Sequence, residues 1–220
     1  MVRLFVDTSD VVQLHRWARD MRIGGVTTNP SLMRKAGIKS YRNFASIVLG
    51  MASGKPVSFE VLSDEFDEME RQARELASWS ENVYVKIPIS NTRGESSIPL
   101  IKKLRDLHLN ITAVMTIVQL EALRGLLDQS HILSVFAGRI ADTGRDPSYM
   151  MRFARRGHAQ LLWASTREVL NVSQAEECGC DIITLTPDLL SKLDLHGKNL
   201  SEYSLDTVKM FHEDGKGIEF

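Results

Sequence analysis

Apolar residues along the chain fall into short runs of strand character, separated by longer stretches in which they recur at helical spacing. The strand candidates cover residues 4–8, 25–28, 57–62, 83–88, 110–114, 131–136, 161–165 and 181–185. Between them the pattern predicts helices. Ser63 opens a charged one reaching residue 79, and Thr116 opens another over 117–128. Thr186-Pro187-Asp188 places a capping residue before a proline at the first helical position. Eight strand–helix repeats are the count of an α/β (β/α)8 TIM barrel. A further helix over about 204–213 follows the eighth repeat and needs a surface to pack on, which a neighbouring subunit would supply.

A doubly wound open sheet shows the same alternation but carries a glycine-rich turn after its first strand. Here that strand runs into Asp7-Thr8-Ser9-Asp10, and Gly24-Gly25 lead into the second strand instead of opening a helix. No Pro/Ser/Gly tract, internal repeat or low-complexity segment divides the chain. Residues 1–220 therefore read as one barrel domain, near the ~200-residue lower limit of that architecture.

Composition narrows the partners. With 27 basic against 28 acidic residues the net charge is −1, so no global positive field exists to hold nucleic acid or an anionic membrane. No apolar run reaches the length of a membrane span, and Asp7 falls where a signal peptide needs its apolar region; a cytoplasmic location is expected. The two cysteines, Cys178 and Cys180, flank only Gly179, too close for ordinary disulfide geometry, and are expected to be reduced. The six histidines form no HxxxH or HxH pair, so no metal is expected.

The strands of a parallel barrel are buried on both faces, and an ionisable residue inside one carries a desolvation cost. Strand alternation puts Phe5 and Asp7 opposite Leu4 and Val6, Ser58 and Glu60 opposite Val57, Phe59 and Val61, and Tyr84 and Lys86 opposite Val83, Val85 and Ile87. Asn110 and Thr112 likewise oppose Ile111 and Ala113, and Ser134 and Phe136 oppose Leu133 and Val135. One face of each strand suits the helix layer. The other carries Asp7, Glu60, Lys86, Asn110, Thr112 and Ser134 inward, mostly toward the C-terminal strand ends where barrel active sites lie. Burial disfavours the ammonium form of a lysine, and the neutral amine attacks carbonyls to form Schiff bases. A structural ion pair of Lys86 with Glu60 or Asp7 is the other reading of the same pattern. After the sixth and seventh strands, Arg139, Ser165 and Arg167 stand at matched positions where two guanidiniums and a hydroxyl could hold a phosphate.

Six segments occur in collinear order: Phe5-Val6-Asp7-Thr8, Gly25-Val26-Thr27-Thr28-Asn29-Pro30-Ser31-Leu32, Val85-Lys86-Ile87-Pro88, Asn110-Ile111-Thr112, Phe136-Ala137-Gly138-Arg139 and Ala164-Ser165-Thr166-Arg167. Over nearly the whole chain they resemble the signatures of the small transaldolases and the related fructose 6-phosphate aldolases. The resemblance implies a class I aldolase mechanism with neither metal nor organic cofactor, acting on sugar phosphates such as those of the pentose phosphate pathway. It assigns Lys86 as the Schiff-base lysine, Asp7 as the acid–base group at the C4 hydroxyl, and Glu60 and Thr112 as holders of a proton-relaying water. Thr28, Asn29, Asn110, Ser134 and Phe136 would line the place of the dihydroxyacetone unit, and Arg139, Ser165 and Arg167 would bind the distal phosphate. Phe136 and Glu60 match the transaldolase branch, where the aldolase branch has tyrosine and glutamine. Ser90, Met115-Thr116 and Trp163 depart from the usual pattern, which leaves room for a sulfonated or longer-chain sugar. A non-catalytic sugar-phosphate-binding barrel is the alternative from another class. The resemblance also implies a homo-oligomer, a ring or decamer.

Overall fold

A computed structural model describes residues 1–219. In chain order the elements are β1 (Arg3–Asp7), α1 (Val11–Trp17), β2 (Ile23–Thr27), α2 (Pro30–Lys35), α3 (Tyr41–Ala52), β3 (Val57–Glu60), α4 (Phe66–Ala77) and β4 (Val83–Pro88). They continue with α5 (Ile98–Lys103), β5 (Leu109–Val114), α6 (Ile117–Leu123), β6 (Ile132–Val135), α7 (Ala137–Ala141), α8 (Ser148–Ala154) and β7 (Gln160–Trp163). After α9 (Leu170–Glu177), β8 (Ile182–Leu185) and α10 (Pro187–Lys192), a short 3-10 turn leads to α11 (Leu200–Asp214). The eight strands pair in sequence order, all parallel, and β8 returns to β1 to close a barrel. This is the α/β TIM barrel expected from the alternation.

The outward strand residues, among them Val6, Val26, Val57, Phe59, Val85, Ile87, Ile111 and Val135, pack with the helices in one continuous apolar layer. Inside the barrel a second, separate cluster of Phe5, Ile132, Leu162, Ala164 and Ile182 packs with Tyr84 and Phe136. The inward face is thus not polar throughout. The interior carries an apolar floor, and the polar side chains sit above it. Gly25 makes that floor possible, because a Cβ there would lie 2.5 Å from two atoms of the Phe5 ring, its neighbour in the register.

Several helix ends differ from the periodic reading. α4 starts after Glu65, since Ser63 accepts the Glu65 N–H in a preceding turn instead of capping the helix. α6 stops at Leu123 because Arg124 leaves helical backbone and Gly125 follows at a φ of 75°. Its start holds, with Thr116 and Gln119 forming a capping box. The terminal helix is longer than expected: Asn199 accepts the Ser201 and Glu202 N–H groups and so starts it at Leu200. α11 buries no residue and leaves Leu200, Leu205, Val208, Met210 and Phe211 exposed. Among the described residues no helix is long and apolar enough to cross a membrane.

Candidate active site

At the C-terminal ends of the strands the barrel opens into a cavity of about 460 Å3. Asp7, Asn29, Glu60, Lys86, Asn110, Thr112, Ser134, Phe136, Arg139 and Ser165 all line it. These residues come from five strands, the turns after β2, β6 and β7, and α7, and closure of the barrel brings them together.

Lys86 is 6% exposed. Its Nζ donates to the Thr28 carbonyl at 2.9 Å and lies 2.9 Å from Glu60 Oε2. The register places Glu60 beside Lys86 and Lys86 beside Asn110, so adjacent strands present lysine, carboxylate and amide at one level. Tyr41, on α3, donates its hydroxyl to the Glu60 carbonyl at 2.9 Å and fixes the end of β3.

Asp7 Oδ1 accepts from Thr27 Oγ1 at 2.8 Å. Thr27 has a single hydroxyl proton and gives it to Asp7, so Thr184 must be the donor in the 2.5 Å contact between the two threonine hydroxyls. Asp7 is half-buried and lines the cavity. Burial pushes its pKa above the ordinary carboxylate value, while the Lys86 charge and the Thr27 hydrogen bond oppose the rise and Glu60 adds to it. On the other side of the lysine a chain runs from Ser134 Oγ to Asn110 Oδ1 at 2.7 Å and from Asn110 Nδ2 to Ser58 Oγ at 3.0 Å. Asn29 Oδ1 caps α2 by accepting the Leu32 N–H at 3.0 Å, which leaves its amide nitrogen as the group for a ligand. Thr112 Oγ1 is buried and makes no hydrogen bond to any described residue.

Two non-glycine residues on the cavity wall hold left-handed backbone, Ala113 at a φ of 61° and Ser165 at 64°. Each costs on the order of 1–3 kcal/mol and persists only where the surroundings over-determine it, as at ligand sites. Ala113 sits in a register shift of β5 against β6, and this irregularity brings it onto the cavity wall beside Thr112, which faces inward by alternation.

Two expected site residues do not line the cavity. Thr28 stands one position beyond the end of β2 and turns its hydroxyl away, onto the Ser58 carbonyl at 2.9 Å; only its own carbonyl oxygen reaches the site. Arg167 pairs with Asp142, Nε to Oδ1 at 2.9 Å and Nη2 to Oδ2 at 2.6 Å. That guanidinium holds the Asp142 carboxyl below its usual range, with a smaller contribution from Arg139. Trp163 packs into the outer apolar layer and so does not border the cavity, and Ser90 pairs with Ser96 in a short bridge. Residues missed from the sequence are Thr27, Thr184 and Ser58, which tie down Asp7 and Asn110, and Leu162 and Ala164 on the wall. Their inward strand phase was the available signal.

Cys178 and Cys180 are free and buried, and burial pushes the Cys180 thiol up to about 12. Among the described residues no group of three or more His, Cys, Asp or Glu is placed to hold a metal.

Solved structures similar to the fold include KGPDC from Streptococcus mutans, with a TM-score of 0.61 at 10% identity over 84% of this chain and 88% of that one. The tryptophan synthase A-subunit of Pyrococcus furiosus gives 0.59 at 12% identity over 92% and 93%. Such distant likeness establishes the barrel alone. Sequence relatives are more specific. Probable transaldolases of Dehalococcoides mccartyi and Methanococcus maripaludis are 31% and 32% identical, each over 89% of this chain and 91% of its own length. One from Thermoplasma acidophilum is 28% identical over 99% of this chain and 100% of its own. The family model described as Transaldolase/Fructose-6-phosphate aldolase matches residues 4–220, and the chain belongs to that family.

Proposed function

We propose that this protein is a transaldolase that moves a dihydroxyacetone unit from a ketose phosphate, such as fructose 6-phosphate or sedoheptulose 7-phosphate, to an aldose acceptor. The observation that carries the reading is the placement of Lys86, buried at the base of the cavity with Glu60 on one side and Asp7 lining the same space. A lysine held only for structure would have its partner and no void in front of it.

In the proposed cycle Lys86 Nζ passes a proton toward Glu60 and attacks the C2 carbonyl of the ketose. Water leaves the carbinolamine with protons relayed by a water that Glu60 and Thr112 would hold, giving an iminium. The C4 hydroxyl then loses its proton to Asp7 as the C3–C4 bond breaks. The bonding electrons pass into the iminium to form an enamine, and the aldose departs. Burial supports the role of Asp7, because a carboxylate whose pKa is raised is a stronger base. Asn29, Asn110 and Ser134 would hold the hydroxyls of the retained unit, and Arg139 with Ser165 the distal anion. An acceptor aldehyde reverses the sequence. Phe136 offers no proton to the enamine, so the three-carbon unit waits for that acceptor.

We further read α11 as an assembly element. Its exposed Leu200, Leu205, Val208 and Phe211 suit the surface of a second copy of the chain, as a homo-oligomer requires.

The test is release of glyceraldehyde 3-phosphate from fructose 6-phosphate with and without erythrose 4-phosphate. Turnover that depends on the acceptor beyond one stoichiometric burst is the expected result. Equal release without acceptor would make the protein an aldolase, and no release from either mixture would remove fructose 6-phosphate as the donor.

A further inference from the structure

The anion end of the cavity is not a cradle of two free arginines. Arg139 and Ser165 line it, whereas the Arg167 guanidinium lies on Asp142 with two parallel hydrogen bonds, and its third nitrogen, Nη1, donates to the Ser165 carbonyl at 2.8 Å. Three of its five N–H donors are in use, and its Nε–Nη2 fork is taken up by Asp142. Asp142 belongs to the same short segment as Arg139: it ends α7, and its N–H donates to the Gly138 carbonyl at 2.9 Å. Gly138 in turn presses against Ser165 so closely that a Cβ would fall 1.6 Å from the Ser165 oxygen. Arg139, Asp142, Ser165 and Arg167 therefore form one connected rim holding two cations and one anion.

We infer that Asp142 is a positioning residue that sets selectivity for the charged end of the substrate, by competing with the substrate's anionic group for Arg167. The inference rests on the reading that this cavity takes an anionic sugar. With Asp142 engaged, the cavity presents one guanidinium and a net rim charge of one. A phosphate dianion entering beside Arg139 offers Arg167 a second fork-shaped partner, and the guanidinium exchanges Asp142 for it. A neutral hydroxyl offers no such exchange and leaves the pair closed.

Exposure makes that exchange feasible. The Arg167 and Asp142 side chains are 43% and 50% exposed, so solvent screens the pair. An exposed pair of this kind is weak, so an anion that must break it binds roughly three- to fivefold less tightly.

Inorganic phosphate is the direct probe, because it occupies an anion site without turnover. Calorimetric titration of the full chain should show Asp142→Asn binding phosphate about three- to fivefold tighter than the parent, and Asp142→Glu returning toward parental affinity. In an Arg167→Met background the gain from Asp142→Asn should largely vanish. With fructose 6-phosphate as donor, the improvement should appear in KM and not in kcat. Unchanged or weaker phosphate binding by Asp142→Asn would overturn the inference, and so would the same tightening in the Arg167→Met background, which would mark a general charge effect on Arg139. Phosphate tightening without turnover of any ketose phosphate would keep the inference and remove the transaldolase reading. Turnover with no phosphate effect would do the reverse.

Discussion

Gly138 places the tightest steric constraint on the site. Its missing Cβ would lie 1.6 Å from the Ser165 oxygen and 2.6 Å from the Ser165 carbonyl carbon, both backbone atoms. Real Cβ contacts are essentially never below 3.0 Å, so Gly138→Ala must part the start of α7 from the turn after β7 by about 1.4 Å. Ser165 has little freedom to yield: its φ is 64°, its carbonyl accepts from Arg167, and the next residue is tied to β8 by the Thr166 hydroxyl on the Thr184 carbonyl at 2.7 Å. Arg139 moves instead, and a misplacement of about 1 Å in a substrate-positioning group costs on the order of 10²-fold in rate. The overpacking itself costs about 1–3 kcal/mol, which for a chain of this size lowers Tm by roughly 2–12 °C. The assay is kcat/KM for fructose 6-phosphate with erythrose 4-phosphate as acceptor, beside a thermal melt. Gly50→Ala on α3 is the control, since nothing lies within 4 Å of its Cβ position, and a helix-interior Gly→Ala change should stabilise by about 0.5–1 kcal/mol. A Gly138→Ala protein with activity within about twofold of the parent and an unshifted Tm would refute the geometric reasoning.

Other expected outcomes follow from the same structure. Gly25→Ala drives a methyl group to 2.5 Å from the Phe5 ring and should destabilise the barrel by about 1–3 kcal/mol; an unchanged urea midpoint would contradict the described floor. Asp7→Asn should abolish turnover yet raise Tm at pH 7. The folded-state pKa lies above the unfolded value near 3.8, so the ionised carboxylate costs stability above that window, and the gain should fade as pH falls below it. An equal or lower Tm at pH 7 would count against the burial argument. Phe136→Tyr should acquire acceptor-independent release of dihydroxyacetone, and a folded variant without it would remove the role given to Phe136.

Period-two alternation made the barrel and the inward face of β3, β4 and β5 legible, because Glu60, Lys86 and Asn110 each interrupt an apolar run. In β2 and β8 the inward residues Thr27 and Thr184 lie beside other threonines or within uniformly apolar neighbours, so phase alone drew no attention to them. Thr28 enters through the resemblance alone; alternation sets it on the face opposite Thr27, and its hydroxyl bonds the Ser58 carbonyl. The pairing of Arg167 with Asp142 lies further beyond sequence reach. It depends on how α7 meets the turn after β7, a tertiary approach that only the glycine at 138 hints at. Helix ends moved for local reasons, through the capping oxygen of Asn199 and the left-handed Gly125, which apolar periodicity does not register.

The central claim is that Lys86 forms a Schiff base with the ketose. Borohydride reduction in the presence of fructose 6-phosphate, followed by peptide mass spectrometry, tests it directly. One reduced three-carbon or six-carbon adduct per chain is expected, located on Lys86 and lost in Lys86→Met. An adduct on another lysine, or turnover with no trapped adduct at all, would contradict it.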